Sequence, residues 1–250
     1  FDSPQSLLSF PHLDLISKLR VAAVTAGLKL SPWLPVMDKI TAKQFLIATE
    51  GKTAYQTLWE PLFTGKFGSY ANDISLSWYW ARIFKRSSSL GYPEGGFQNL
   101  AQKIADNLDI NYDISINNIK HLNNKFIINT KNKNYSFDKL IFTLSFSQLK
   151  NYFPEVTIPE LKYLGAVNLV LAMKQPFLKD TYWLNINDRK YPFLAVVEHT
   201  NFIDKSHYSN QHLLYIGNYL PKDHKYFSYT AKQLFQEFLP YLKKINPNFT

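Results

Sequence analysis

The run Leu90-Gly91-Tyr92-Pro93-Glu94-Gly95-Gly96-Phe97-Gln98-Asn99-Leu100 constrains this chain most, because of the pattern that follows it. Two glycines open a segment, Gly95 to Leu108, in which Phe97, Leu100, Ile104 and Leu108 recur at helical spacing. Glycine permits close backbone approach, and the positive end of a helix is a place where an anion can sit. A tight loop explains a Gly-Gly pair equally well, so the order of elements carries the argument. Short alternating strands are predicted from Ile110 to Lys139, with turns at Asn117-Asn118, Asn123-Asn124 and Asn132-Lys133-Asn134. Asn suits such turns because it tolerates left-handed backbone angles. An apolar strand, Leu140-Ile141-Phe142-Thr143-Leu144, closes the stretch.

The two flanks read differently. Ser3 to Arg86 is mainly helical: Ser3-Pro4 starts a first helix, and Ile16, Leu19, Ala23 and Leu30 mark one face of a second. Pro32 and Pro35 end it, Thr41-Ala42-Lys43-Gln44 is a capping-box signature, and Gly51 is a helix stop. Further helices are expected over Thr53 to Leu62 and Ile74 to Lys85, with Ser87-Ser88-Ser89 as a loop. After a link from Pro154 to Pro159, strands are expected from Lys162 onward: Val167 to Met173, Tyr182 to Ile186, Phe193 to Glu198 and Leu213 to Asn218. A terminal helix from about Ser228 to Lys244 presents Leu234, Phe235, Phe238 and Leu242 on one face. The expected class is α/β (α+β), with a mixed or antiparallel sheet covered by helices and a separate small β-meander. Residues 1–90 and 155–250 would form one domain around residues 91–154.

Composition narrows the chemistry. The 250 residues are 46% hydrophobic, enough for a sizeable core. No cysteine is present, which removes disulfides, thiolate catalysis and cysteine metal sites. The histidines show no H-E-x-x-H or other zinc spacing, so no metal site is expected, and Ser145 and Ser147 lack a G-x-S-x-G elbow. No apolar run approaches the roughly 20 residues that span a bilayer, and no signal peptide is evident, so the expected location is cytoplasmic. The net charge of +9 raises a nucleic-acid or membrane-surface reading, with Arg82, Lys85 and Arg86 beside Trp78, Tyr79 and Trp80. The lysines are otherwise scattered and no nucleic-acid module accompanies them, so an aromatic core face with a solvated basic face is preferred and no specific nucleic-acid partner is expected.

Three ordered stretches resemble the flavin-dependent amine oxidase superfamily, which includes monoamine oxidases, protoporphyrinogen oxidases and phytoene desaturases. Ile110, Tyr112, Ile114 and Ile116, followed by Ile119, resemble its "I-x-L-x-T-x-V-x-x-I" strand, and Phe137-Asp138-Lys139-Leu140-Ile141-Phe142-Thr143 resembles the strand that returns beneath FAD. The stretch Trp59 to Ser75, with Pro61, Gly65, Tyr70, Ala71 and Asp73, is similar to "P-F-x-x-G-V-Y-A-G-D-x-x-x-L-S" of protoporphyrinogen oxidases. Leu164-Gly165-Ala166-Val167-Asn168-Leu169 through Lys174-Gln175-Pro176-Phe177 resembles "L-G-S-V-x-K … K-E-P-F" of monoamine oxidases.

The resemblance implies a Rossmann-like FAD domain, of which residues 91–154 are a part, a substrate domain made of residues 1–90 and 155–250, FAD as cofactor and hydride removal from an apolar or cyclic small molecule. Gly95, Gly96, Ile116, Thr143 and Leu144 are then the expected cofactor contacts, and Trp80, Arg82 and Tyr92 the expected substrate contacts. Arg82 suits a carboxylate or phosphate clamp. Leu169 stands where monoamine oxidases carry a lysine that holds a water near the flavin, which argues against ordinary amine oxidation. Glu198 and His199 are adjacent on a strand and so point to opposite faces, leaving His199 a structural or surface role.

The family's G-x-G-x-x-G turn is absent from these residues, and the sequence opens on Phe1 and stops at Thr250. It therefore reads as an internal fragment of a longer flavoprotein that, as given, holds no FAD. Two other readings stay open: a flavoenzyme like UDP-galactopyranose mutase without net redox, and a binding module that has lost the flavin.

Overall fold

The computed structural model describes residues 4–87, 89–158, 161 and 163–249. The cap expected at Ser3, the loop position Ser88, the link end Pro159 and the start at Lys162 lie outside them. The chain forms two compact units, Phe1–Tyr92 with Tyr163–Thr250, and Pro93–Lys162.

The first unit opens with helices α1 (Pro4–Leu8), α2 (Leu15–Leu30) and α3 (Ala42–Thr49). Thr41 and Gln44 form the reciprocal capping box, and Gly51 takes φ 99° just past the helix end, a conformation glycine adopts without strain. Helix α4 (Lys52–Ala54) runs through one π-helical stretch, Tyr55–Trp59, into α5 (Glu60–Phe67), and α6 (Leu76–Phe84) follows. Leu28, Leu46, Tyr55, Phe63, Leu76 and Tyr79 are the buried centre of this helical core. On α2 the buried stripe is Val21, Val24 and Leu28, whereas Leu15, Ile16, Leu19 and Leu30 are exposed. The helix carries two apolar stripes, and the core takes the one opposite to Ile16, Leu19 and Leu30.

The second unit contains α7 (Gly96–Ala105), a three-stranded antiparallel meander of β1 (Ile116–Leu122), β2 (Lys125–Thr130) and β3 (Asn134–Phe137), and α8 (Phe146–Tyr152). Asn123 and Asn124 both adopt positive φ, as a two-residue hairpin turn demands. Asn117-Asn118 is not a turn; it is an irregularity in the β1–β2 register. Residues 110–115 and the expected return strand Leu140 to Leu144 are not strands, and Ile141 is 87% exposed. An apolar segment becomes a strand only when a neighbour satisfies its backbone, and no described strand pairs with either segment. The stripe Phe97, Leu100, Ile104 and Leu108 is exposed, and Ile119 is the unit's one fully buried apolar residue among those described.

Back in the first unit, four strands form an antiparallel sheet in the order β4 (Leu164–Met173), β7 (His212–Pro221), β6 (Ala195–Glu198), β5 (Trp183–Asn185). Helix α9 (Ala231–Ile245), with a Thr230–Gln233 capping box, lays Leu234, Phe238 and Leu242 on one face of this sheet. Val167, Leu169, Val196, Leu214 and Ile216 meet it there. Phe238 is 1% exposed, and its ring lies 5.2 Å from that of Phe193.

One polar group sits in the helical core. Glu50 is wholly buried and accepts a 2.6 Å hydrogen bond from the Trp59 indole N–H, which the π-helical stretch carries. Its other oxygen and the Tyr79 hydroxyl are buried and bond to no described residue. Burial pushes the Glu50 carboxyl up to about 7 from 4.5, against the lowering effect of the Trp59 bond. Burial and then the neighbouring Glu50 charge push the Tyr79 phenol upward as well.

Replacing Phe238 with Ala is expected to cost about 3–5 kcal/mol in denaturant unfolding, whereas Ile141→Ser on the exposed segment stays within about 0.5 kcal/mol. Between pH 4.5 and about 7 folded Glu50 keeps a proton that the unfolded chain releases. The native state thus binds more protons there, so stability falls as pH rises through that window and levels off above it. Glu50→Gln is expected to flatten this fall, on the order of 3 kcal/mol in the unmodified chain, in unfolding curves across that range.

Candidate functional site

Strand alternation divides the four-stranded sheet into the covered face and a second one. The register aligns Asn168 with Gly217, Ala195 and Asn185, and Val170 with Tyr215, Val197 and Trp183. Ala166 lies opposite Tyr219 and Ala172 opposite Leu213. Along β4 four residues of this second face, Ala166, Asn168, Val170 and Ala172, are exposed. The result is a floor of small residues flanked by tyrosines. Helix α5 closes on one end, where any β-carbon at Gly65 would collide with Leu194. A cleft of about 220 Å³ lies there, lined by Pro61, Thr64, Gly65 and the segment from Ile186 to Leu194.

At the other end, Tyr92, Tyr208 and Tyr215 surround His199, with ring centroids 5.2, 5.3 and 5.5 Å from the imidazole. His199 Nε2 and the Tyr208 hydroxyl share a 2.7 Å hydrogen bond. His199 is 6% exposed, and burial holds its pKa below the usual value, so the ring is neutral at pH 7. Tyr182, Tyr208 and Tyr215 are each held above the ordinary phenol value, first by burial and then by the neighbouring Tyr92. These phenols therefore stay protonated at neutral pH and can serve as hydrogen-bond donors. The group offers several hydroxyls and one uncharged imidazole, which suits orienting a polar end of a ligand or holding a proton.

Glu198 takes no part in that cluster. Its wholly buried carboxylate accepts from the Phe177 N–H at 2.8 Å, the Leu178 N–H at 3.2 Å and the Thr200 hydroxyl at 2.9 Å, with His212 Nδ1 3.8 Å away. It ties the loop after β4 to the end of β6.

The expected substrate residues have different partners. Tyr92 joins the His199 group. Arg82 is exposed on α6 and close enough to Lys66 to lower that lysine's pKa. Trp80 donates its indole N–H to the Ser31 carbonyl at 2.9 Å and stacks on Phe84, which commits it to helix packing. Leu169 is 4% exposed in the core beneath α9, so its apolar character is what that core requires, and the open face carries Asn168 beside it. Sequence reasoning missed Lys66, Tyr208 and Tyr215. For the two tyrosines the signal was strand alternation around Tyr215 and a tyrosine nine residues after His199.

The expected cofactor residues all lie in the second unit. Gly95 (φ 73°) and Gly96 (φ 82°) open α7, and no side chain caps that helix. A β-carbon on Gly95 would strike Asn99, whose amide donates to the Glu94 carbonyl, so this glycine also serves the helix start itself. Ile116 begins β1, and its carbonyl accepts from the Tyr152 hydroxyl of α8 at 3.3 Å. Thr143 and Leu144 lie in the extended segment immediately before α8, and both are exposed. Helix α8 thus holds that segment near the start of β1. Among the described residues no group of three or more His, Asp or Glu side chains is placed to hold a metal, and no helix is long and apolar enough to cross a membrane.

Among solved structures the chain is similar to a protein from Exiguobacterium sp. 255-15 that carries a provisional protoporphyrinogen oxidase name (18% identity, TM-score 0.66, 98% of this chain and 59% of that one). An oxidoreductase from Methanosarcina mazei is likewise similar (15% identity, TM-score 0.70, 99% and 60%), as is a putrescine oxidase variant (15% identity, TM-score 0.63, 94% and 59%). The chain therefore spans about three fifths of the length of these structures. A reduced UDP-galactopyranose mutase shares the fold less closely (16% identity, TM-score 0.56, 94% and 57%). No curated protein matches at a significant level. The family model described as flavin-containing amine oxidoreductase matches residues 2–249, and the chain belongs to that family.

Proposed function

We propose that this chain supplies the substrate-binding sheet and part of the flavin site of an FAD-dependent oxidoreductase that takes hydride from an apolar or cyclic small molecule. The observation that carries this reading is a family match over nearly the whole chain. The open sheet face, floored by Ala166, Asn168 and Gly217 and walled by tyrosines, supports it. Bound FAD would supply the hydride acceptor.

The residues of the second unit fit such a dinucleotide in part. An uncapped helix opening on two left-handed glycines suits an anionic group, and exposed Thr143 and Leu144 beside the Ile116 backbone suit apolar and backbone contacts to an adenosine. A G-x-G-x-x-G cradle is not among these residues. In the first unit, Tyr92, Tyr208 and Tyr215 would orient the polar end of the substrate through their hydroxyls, while neutral His199 shares the Tyr208 hydrogen. Val170, exposed on β4, would give its apolar part a surface. Arg82 and Tyr92 carry the expected substrate role here. A cytoplasmic location belongs to the same proposal.

The likeness to UDP-galactopyranose mutase keeps a second reading, a flavoenzyme without net redox, within the same fold. Protein purified from the complete open reading frame is expected to show flavin absorption bands in visible light and to release FAD on denaturation. Bleaching of those bands by substrate without oxygen would favour the oxidoreductase. Turnover with no net bleaching would favour the mutase-like reading. A colourless, folded protein that takes up no added FAD would contradict both and leave a binding module.

A further inference from the structure

The open face of the first unit ends in two cations that no acid neutralises. Lys66 projects from α5 into a ring of aromatic side chains, its Nζ 5.3 Å from the Tyr219 centroid, 5.7 Å from Trp78 and 6.0 Å from Phe67. Arg82 of α6 stands beside it. Among the described residues neither side chain makes a hydrogen bond or an ion pair. Three other charges in this unit do have partners: Lys29 donates to the carbonyls of Ile83, Phe84 and Arg86, Lys225 pairs with Glu237, and Glu198 has its four partners. Partial burial and then the Arg82 charge hold the Lys66 pKa below its ordinary value. The rings around Lys66 offset some of its desolvation through cation–π attraction, but they give Arg82 nothing comparable. Two like charges at one spot oppose folding, and a ligand anion would remove that cost.

Tyr219 belongs to the open face, and it is 44% exposed. Four residues along the same strand, roughly 13 Å away, Tyr215 meets the His199 group. Between them the floor is Gly217 with Ala195 and Asn168 beside it.

We propose that Lys66 and Arg82 form an anion subsite that takes the carboxylate or phosphate of a flat apolar substrate, whose rings lie along the open sheet face against Tyr219. This deepens the reading given above by naming the substrate class, but its test requires no flavin. The Lys66 ammonium contributes a point charge and the Arg82 guanidinium a planar fork for two oxygens of the same anion.

The test is a calorimetric titration of the chain with 1-naphthoate, 1-naphthyl phosphate and the uncharged 1-naphthalenemethanol at fixed ionic strength. At least one anion is expected to bind about tenfold tighter than the alcohol, and the better anion identifies carboxylate or phosphate as the group recognised. Lys66→Met and Arg82→Gln are each expected to bring the anion down to the alcohol's affinity while leaving alcohol binding unchanged, and Lys66→Arg to retain the preference. Should Lys66→Met fail to fold by circular dichroism, Arg82→Gln decides, since Arg82 is exposed. Equal binding of anions and alcohol, or undiminished anion binding by Arg82→Gln, overturns the subsite. So does a preference for anionic lipid vesicles or nucleic acid with none for the naphthyl anions. Anion binding without FAD uptake by the complete protein would remove the flavin reading and leave the subsite standing; FAD uptake without anion preference would do the reverse.

Discussion

The ladder between β4 and β7 is the constraint on which the first unit depends. It pairs ten residues of each strand without a break, from Leu164 opposite Pro221 to Met173 opposite His212. Because side chains alternate across a strand, this single register decides which residues meet α9 and which face outward. Val167, Leu169, Leu214 and Ile216 are thereby gathered beneath Phe238, and Asn168, Tyr215, Gly217 and Tyr219 are gathered on the other side. A slip of one residue would bury the tyrosines and Asn168 and expose the core. Core and candidate site are thus two consequences of one pairing.

The sheet also explains how polar chemistry is held near an apolar interior. Glu198 ends β6 wholly buried, yet two backbone N–H groups and the Thr200 hydroxyl satisfy it, so it fixes a loop at low cost. Its neighbour His199 turns into a different environment, a set of phenols around an uncharged ring. Glu50 shows the contrasting case. Only one of its oxygens is bonded, and its carboxyl is pushed toward neutrality because burial outweighs the Trp59 hydrogen bond. Lys66 lies between these cases, a partly buried cation held among aromatic rings rather than beside an acid.

Periodicity made much of this fold legible. The apolar stripe of α9, the capping box at Thr41 and the four strands of the sheet follow from spacing and turn chemistry, since each is decided by residues close in sequence. What failed depended on partners. Leu140 to Leu144 has the composition of a strand, yet no described strand bonds it, and composition alone supplies no hydrogen bonds. On α2 two apolar stripes were present, and only packing chose between them. In the second unit the stripe of α7 lies exposed beside a meander with a single fully buried residue, so its periodicity reported amphipathicity without reporting burial. The candidate site was legible in part: Arg82 and Tyr92 stood out as an arginine and a tyrosine amid aromatic residues. Lys66 did not, because a lone lysine after a glycine looks like any solvated charge until Tyr219 and Trp78 are brought around it.

The absence of cysteine in the chain makes the central claim, that the outward face of the β4–β7 sheet is the ligand face, directly measurable. A thiol introduced by Asn168→Cys on that face can be labelled by a maleimide and compared with one introduced by Lys232→Cys on the exposed side of α9. The complete protein is labelled with and without 1-naphthoate, and modification is read at each introduced thiol by peptide mass spectrometry. The account predicts that 1-naphthoate slows labelling at position 168 and leaves position 232 unaffected. Unchanged labelling at position 168 in a protein that demonstrably binds ligand would place the site elsewhere and contradict the account.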